Sequence, residues 1–216
     1  MTACPTCLKQ TDLCLCAEIE PQRTKLALLI LQHPQEQDHD LGTARLVVQH
    51  LEQSRLAVGL SWPNLAKALG RPADPKRWGV LYLGSALPPA DRALALLDRA
   101  GKPVGNPDMV PAGLDGVVLL DGSWSQAKAL WWRNPWLLKL QRLVLNPARP
   151  SRYGRLRKEP RRESVSTIEA AASIIATIEQ RPDLEVRMLA SFDTLLRRYR
   201  ERKKPTVTPA PAPPAA

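Results

Sequence analysis

The sequence predicts an α/β fold: a mostly parallel sheet with helices on both faces. Two observations carry that prediction. Residues 25–32, 78–83 and 116–120 are short runs that stay apolar instead of alternating, as strands buried on both faces do. Between them lie stretches with helical spacing of apolar residues, so strand and helix take turns along the chain. A chain of 216 residues is long enough for one such domain with small appendages.

The elements follow in order. Residues 25–32 form the first strand, and 43–53 a helix with Leu46, Val47, His50 and Leu51 on one face. A short strand at 56–60 comes next, then one or two helical turns at 64–69, then a third strand at 78–83 ending in Gly84-Ser85-Ala86. Residues 90–100 read as a helix closed by Gly101, followed by a Pro- and Gly-rich loop from 102 to 113. The strand at 116–120 runs into a helix at 125–133, and 141–145 makes a fifth strand. The segment 146–163 is a long basic loop, and loops of that length are usually functional. Two helices, 166–180 and 182–203, finish the fold. Three units result: a cysteine-rich knuckle at 1–22, the main domain at 23–204, and a tail at 205–216 of Pro, Ala, Val and Thr that cannot bury a core.

Composition narrows the partners. With 31 Lys and Arg against 21 Asp and Glu, the net charge is +10, which favours a polyanion such as nucleic acid. No apolar run reaches the ~18–20 residues needed to span a bilayer, and residues 1–19 lack the basic start and apolar stretch of a signal peptide. A cytoplasmic protein is expected, with no membrane and no protein partner implied.

Cys4, Cys7, Cys14 and Cys16 are all the cysteines of the chain. Cys-x2-Cys followed by Cys-x-Cys places two short chelating pairs where they can converge on one tetrahedral zinc, closed and therefore structural. The alternative is a pair of disulfides, with three connectivities open; a reducing compartment disfavours it.

The sharpest local feature is Asp121-Gly122-Ser123-Trp124, where the strand at 116–120 turns into a helix. The carboxyl ends of parallel strands are where ligands and catalytic groups gather. The same residues also fit an Asp or Ser helix cap followed by a core tryptophan. Around this motif stand Gln32-His33-Pro34, Thr43-Ala44-Arg45-Leu46, Ser151-Arg152-Tyr153 and Ser166-Thr167-Ile168-Glu169-Ala170. Ser166 and Glu169 match a capping box, whose helix start can also hold an anion. His33 can simply tie down a loop, and Arg45 is either an anion ligand or a solvated surface residue.

Taken in order over roughly residues 4–200, these motifs resemble the DTW-domain family, the tRNA-uridine aminocarboxypropyltransferases named for Asp-x-Thr-Trp. Ser123 stands where the family has Thr, keeping the hydroxyl and losing a methyl. The resemblance implies a fold similar to the SPOUT superfamily, with a trefoil knot making an S-adenosylmethionine pocket. It further implies transfer of the 3-amino-3-carboxypropyl group of that co-substrate to uridine N3 in tRNA.

Asp121 is then the expected general base for the N3 proton, with Ser123 orienting it or donating to the methionine carboxylate, and Trp124 stacking on adenine or uracil. An alternative reading makes Asp121 a contact to the co-substrate's sulfonium or amino group. Leu83, Gly84, Ser85, Leu120, Gly122, Ser166, Thr167 and Glu169 are the expected co-substrate contacts. Arg45 and the basic loop, through Arg149, Arg152, Tyr153, Arg155, Arg157 and Lys158, are the expected RNA contacts, positioning phosphates without reading sequence. A second basic cluster, Arg197, Arg198, Arg200, Arg202, Lys203 and Lys204, closes the last helix. Two other readings stand beside this one: an RNA methyltransferase with the same cofactor and fold, and a non-catalytic RNA-binding protein that uses the knuckle and basic loop.

Overall fold

A computed structural model describes residues 3–81, 93–98, 100–104, 113–157 and 164–203. Seven strands form one sheet in the order β2-β1-β6-β3-β7-β4-β5. They are β1 (Ala27–Gln32), β2 (Ser54–Val58), β3 (Trp78–Leu81), β4 (Leu94–Leu97), β5 (Pro103–Val104), β6 (Gly116–Asp121) and β7 (Gln141–Leu145). The first five in sheet order run parallel; β4 is antiparallel to β7, and β5 to β4. The helices are α1 (Ala44–His50), α2 (Leu65–Leu69), α3 (Trp124–Arg133), α4 (Thr167–Glu179) and α5 (Pro182–Arg202).

Both faces of the sheet are covered, as its uninterrupted apolar strands require. Leu28, Ile30, Val117, Leu119 and Leu143 point to one face, where α1, α4 and α5 pack on them. Leu29, Leu31, Val118 and Val80 point to the other, under α2, α3 and the 3₁₀ turn Pro135–Lys139. The alternation along β1 and β6 is the period-two geometry of a strand with a core on each side.

One expected element is corrected. The segment 90–100 does not form a helix in its described part: Leu94–Leu97 is strand β4, paired to β7 in the register Leu94↔Leu145 through Leu97↔Arg142. Alanine and leucine favour helix locally, but β7 would otherwise present an unpaired edge, and that tertiary demand outweighs propensity. Residues 90–92 and 99 fall outside the description, as do Leu83, Gly84, Ser85, Lys158, Arg161, Arg162, Lys204 and the tail 205–216.

The cysteine-rich segment sits on the main domain and shares its core, with Leu13 and Leu15 buried among α1, α4 and α5. Lys9 is buried and donates to the carbonyls of Asp40 at 2.7 Å and Gly42 at 2.8 Å. From the far end of the chain, Arg198 donates to the Cys14 carbonyl and to Glu18, and Arg202 to Asp40. The carboxyl-terminal basic cluster is thus partly an internal clamp.

The slot for β6 between β1 and β3 is narrow. Gly116 is the register partner of both Ala27 and Trp78, and a Cβ there would stand 2.5 Å from the Trp78 ring and 2.7 Å from the Ala27 carbonyl oxygen. Neither neighbour is a flexible chain end. Gly116→Ala is therefore expected to destabilise the fold by ~1–3 kcal/mol, read as a lower urea midpoint at unchanged m-value. A midpoint equal to the parent's would show that the slot is wider than this packing implies.

Candidate active site

Asp121 is the last residue of β6 and lies beside Gln32, the last residue of β1, in parallel register. Only 5% of Asp121 is exposed. Its carboxylate accepts from Gln32 Nε2 at 2.8 Å and from the Thr167 hydroxyl at the start of α4. Burial pushes the Asp121 carboxyl above the usual carboxylate range; the Thr167 and Gln32 hydrogen bonds pull it back, Glu36 pushes it up, and Arg157 draws it down. A carboxyl with a raised pKa beside a cleft is suited to taking a proton near neutral pH.

The turn that follows is built to let a helix start beside it. Gly122 has φ +152°, and a Cβ there would meet the Gln126 side chain at 2.9–3.0 Å. Ser123 caps α3: its hydroxyl accepts from the Gln126 amide at 3.4 Å, and Gln126 Oε1 accepts from the Ser123 amide at 2.6 Å. The reading in which Asp121 caps α3 does not hold, because Ser123 occupies that role. Trp124 is half-buried, outside the buried core clusters, with Lys128 Nζ 5.5 Å from its ring centre.

Leu120, Asp121, Gly122, Ser123 and Trp124 form one wall of a cleft of about 430 Å³; Tyr153, Arg157, Val165, Ser166 and Thr167 form the opposite wall. The volume is that of a small-molecule site. Ser166 caps α4: its hydroxyl accepts from the Glu169 amide at 3.3 Å, and its own amide donates to the Glu169 carboxylate at 2.8 Å. Glu169 does more than close a capping box. It also accepts from the Ser151 hydroxyl at 2.8 Å and the Arg152 amide at 2.8 Å, and so ties the basic loop to α4.

The basic loop divides into two kinds of residue. Arg149 and Arg155 are exposed. Arg157 faces the cleft and is ion-paired to Glu36, which is itself buried; Arg152 is paired to Asp193 at 2.5 Å. Tyr153 is only 3% exposed, its hydroxyl donates to the Leu41 carbonyl at 2.7 Å, and its ring meets Phe192 edge-on at 4.9 Å. Tyr153, one of the expected RNA contacts, is thus turned inward and anchors the loop to the core.

Arg45 also turns inward. Its Nε is buried without a hydrogen-bond partner, beside Gln32 and Glu36 in a small gap under the 36–42 loop, so it does not present that group to an outside phosphate. His33 accepts from the Gln35 amide at 3.3 Å through Nδ1 and starts the turn Pro34–Glu36, the loop-fixing role. Gln32 and Glu36 were missed as site residues. The sequence signals were Gln32 at a strand's carboxyl end and an acid two residues past Pro34; neither reveals its partner.

The four cysteine sulfurs all lie within 4.8 Å of one another, with Cys4 Sγ and Cys16 Sγ 3.7 Å apart. Tetrahedral thiolate coordination at a metal–sulfur distance of 2.3 Å requires sulfurs about 3.8 Å apart, so the set can hold a metal ion. Backbone hydrogen bonds from Cys7 and Thr6 lower the Cys4 thiol to about 6, whereas burial pushes Cys7 and Cys16 up. A divalent cation offsets the cost of ionising the buried pair. Gln49 Nε2 donates to Cys16 Sγ at 3.0 Å, a second-layer contact of the kind that orients metal ligands.

Comparison with known proteins agrees with this geometry. tRNA-uridine aminocarboxypropyltransferase 2 of Drosophila melanogaster is 30% identical over 198 residues, covering 89% of this chain and 72% of the relative. The proteins of the same name from Macaca fascicularis and Mus musculus are each 24% identical over 200 residues, covering 89% of this chain and 61% of theirs. No solved structure matches significantly. Residues 1–200 match the DTW domain model, and with the Asp121–Trp124 turn lining its cleft the chain belongs to the DTW domain family.

Proposed function

We propose that the protein is a tRNA-uridine aminocarboxypropyltransferase, moving the 3-amino-3-carboxypropyl group of S-adenosylmethionine to N3 of a tRNA uridine. The observation that carries this reading is Asp121, a buried carboxyl with a raised pKa opening on a cleft in a chain of this family. In the reaction N3 attacks the methionine Cγ, the Cγ–S bond breaks with its electrons going to sulfur, and 5′-methylthioadenosine leaves. The N3 proton passes to Asp121. Thr167 and Gln32 hold that carboxylate in one orientation, and orientation is the larger task, worth roughly 7–11 kcal/mol of barrier. The start of α4 and Arg157 supply the complement to the carboxylate of the transferred group.

Zinc is the metal we assign to Cys4, Cys7, Cys14 and Cys16, in a structural role suited to a cytoplasmic protein. Supporting the knotted, SPOUT-like reading is the place of β6: the chain lays down β1, β2 and β3 first, and then inserts β6 between β1 and β3. Such a late central strand is a setting in which a chain can thread a loop. Among the described residues no helix is long and apolar enough to cross a membrane.

Asp121→Asn tests the assignment. The amide keeps an acceptor for Thr167 but cannot take a proton, so single-turnover transfer to unmodified tRNA should fall ~10²–10⁴-fold. A raised folded-state pKa stabilises the protein below the ordinary carboxylate pKa, and that stability is lost as pH rises through the folded value. The variant's melting temperature should therefore gain on the parent's as pH rises above the ordinary carboxylate range. Transfer at the parental rate would remove Asp121 as the base, and a product heavier by only one methyl group would make the protein a methyltransferase.

Reversing Arg149 and Arg155 should weaken tRNA binding and lower the log-log salt slope by about 0.7–0.9 for each lost phosphate contact; an unchanged slope would put the RNA elsewhere. The metal reading is checked by emission spectroscopy, with about one zinc per chain expected. Its removal by a strong chelator should lower the melting temperature by about 5 °C or more, and protein with four free thiols and no metal would reject it.

A further inference from the structure

Beyond the cleft, α3 carries a surface that nothing above accounts for. Trp124, Lys128 and Trp132 stand at i, i+4 and i+8, which places them along one side of the helix. Trp124 lines the cleft, Lys128 lies over its ring, and Trp132 is 79% exposed, more than any other large apolar side chain among the described residues. The stripe therefore begins at the catalytic turn and runs about 12 Å away from it at 1.5 Å per residue.

Its charge matches one kind of occupant. Between Asp121 and Glu159 the chain contains no acid and nine lysines and arginines, with Lys128 and Arg133 on α3 and Lys139 just beyond, all exposed. An aromatic face alternating with cations, continuous with a cleft that takes a base, is the arrangement that binds single-stranded nucleic acid: π-faces for bases, charge for phosphates.

We infer that Trp132, with Lys128, is a stacking site for unpaired nucleotides flanking the target uridine, holding them along α3 while the uridine enters the cleft. This rests on the tRNA substrate proposed above. It makes base stacking on α3, rather than on Tyr153, the aromatic component of RNA recognition.

The test is equilibrium binding of an unmodified tRNA transcript to the full-length protein and to Trp132→Ala, Trp132→Phe and Lys128→Gln. Loss of one stacked base should weaken binding about 5- to 150-fold in Trp132→Ala, with the salt slope unchanged because no counterion is involved, and Phe should restore part of the loss. Lys128→Gln should instead lower the slope by about 0.7. Trp132→Ala binding at parental affinity would overturn the inference. So would a shift from dimer to monomer in sedimentation velocity with RNA affinity unchanged, since the face would then belong to a second copy of the chain.

Mass analysis of the nucleosides separates the two claims. If the parent makes no transfer product but its tRNA affinity still falls in Trp132→Ala, the enzymatic reading fails and the stacking site stands. Product formation with Trp132-independent affinity does the reverse.

Discussion

A carboxylate withdrawn from water at the end of a central strand sets the terms for everything around it. Leaving such a group unpaired in the interior costs several kcal/mol, and four separate segments answer Asp121. The end of β1 supplies Gln32, the start of α4 supplies Thr167, the basic loop supplies the Arg157 charge, and the 34–42 loop supplies Glu36 to balance that arginine. These segments are far apart in sequence, and the sheet order that puts β6 beside β1 brings them together. Moving any one of them alters both the carboxyl's proton affinity and its direction.

The strands were legible where burial on both faces leaves an unbroken apolar run, as at residues 27–32 and 116–121. β4 was not, because Leu94–Leu97 is drawn from residues that locally prefer helix and becomes a strand only through β7. The Ser166–Glu169 box could be read from its spacing, and Ser123-x-x-Gln126 offered the same signal for α3. The roles of Gln32 and Glu36 were not legible for a different reason. Their partners lie 89 and 121 positions away, and no local pattern encodes a contact of that span.

Net positive charge points to the same class of partner as the tRNA in the relatives' names, without locating a contact. Several arginines that look available in sequence are engaged internally: Arg152 with Asp193, Arg157 with Glu36, Arg198 with Glu18, and Arg202 with Asp40. Partly screened pairs of this kind add little stability each, but they fix where loops sit. Among the described residues, the exposed cations of the basic loop and α3 outside those pairs are Arg149, Arg155, Lys128 and Arg133, fewer than the composition of these segments alone suggests.

The clamp between the two ends of the chain constrains the order of assembly. Arg198 reaches the Cys14 carbonyl across 184 positions, and Leu13 and Leu15 share a core with α4 and α5, which follow them far along the chain. Contacts of such separation form late, after domain-scale collapse. During synthesis the cysteine segment therefore precedes its α5 partner by most of the domain. A metal taken up by those four sulfurs would be bound before the docking that seats the segment against α5.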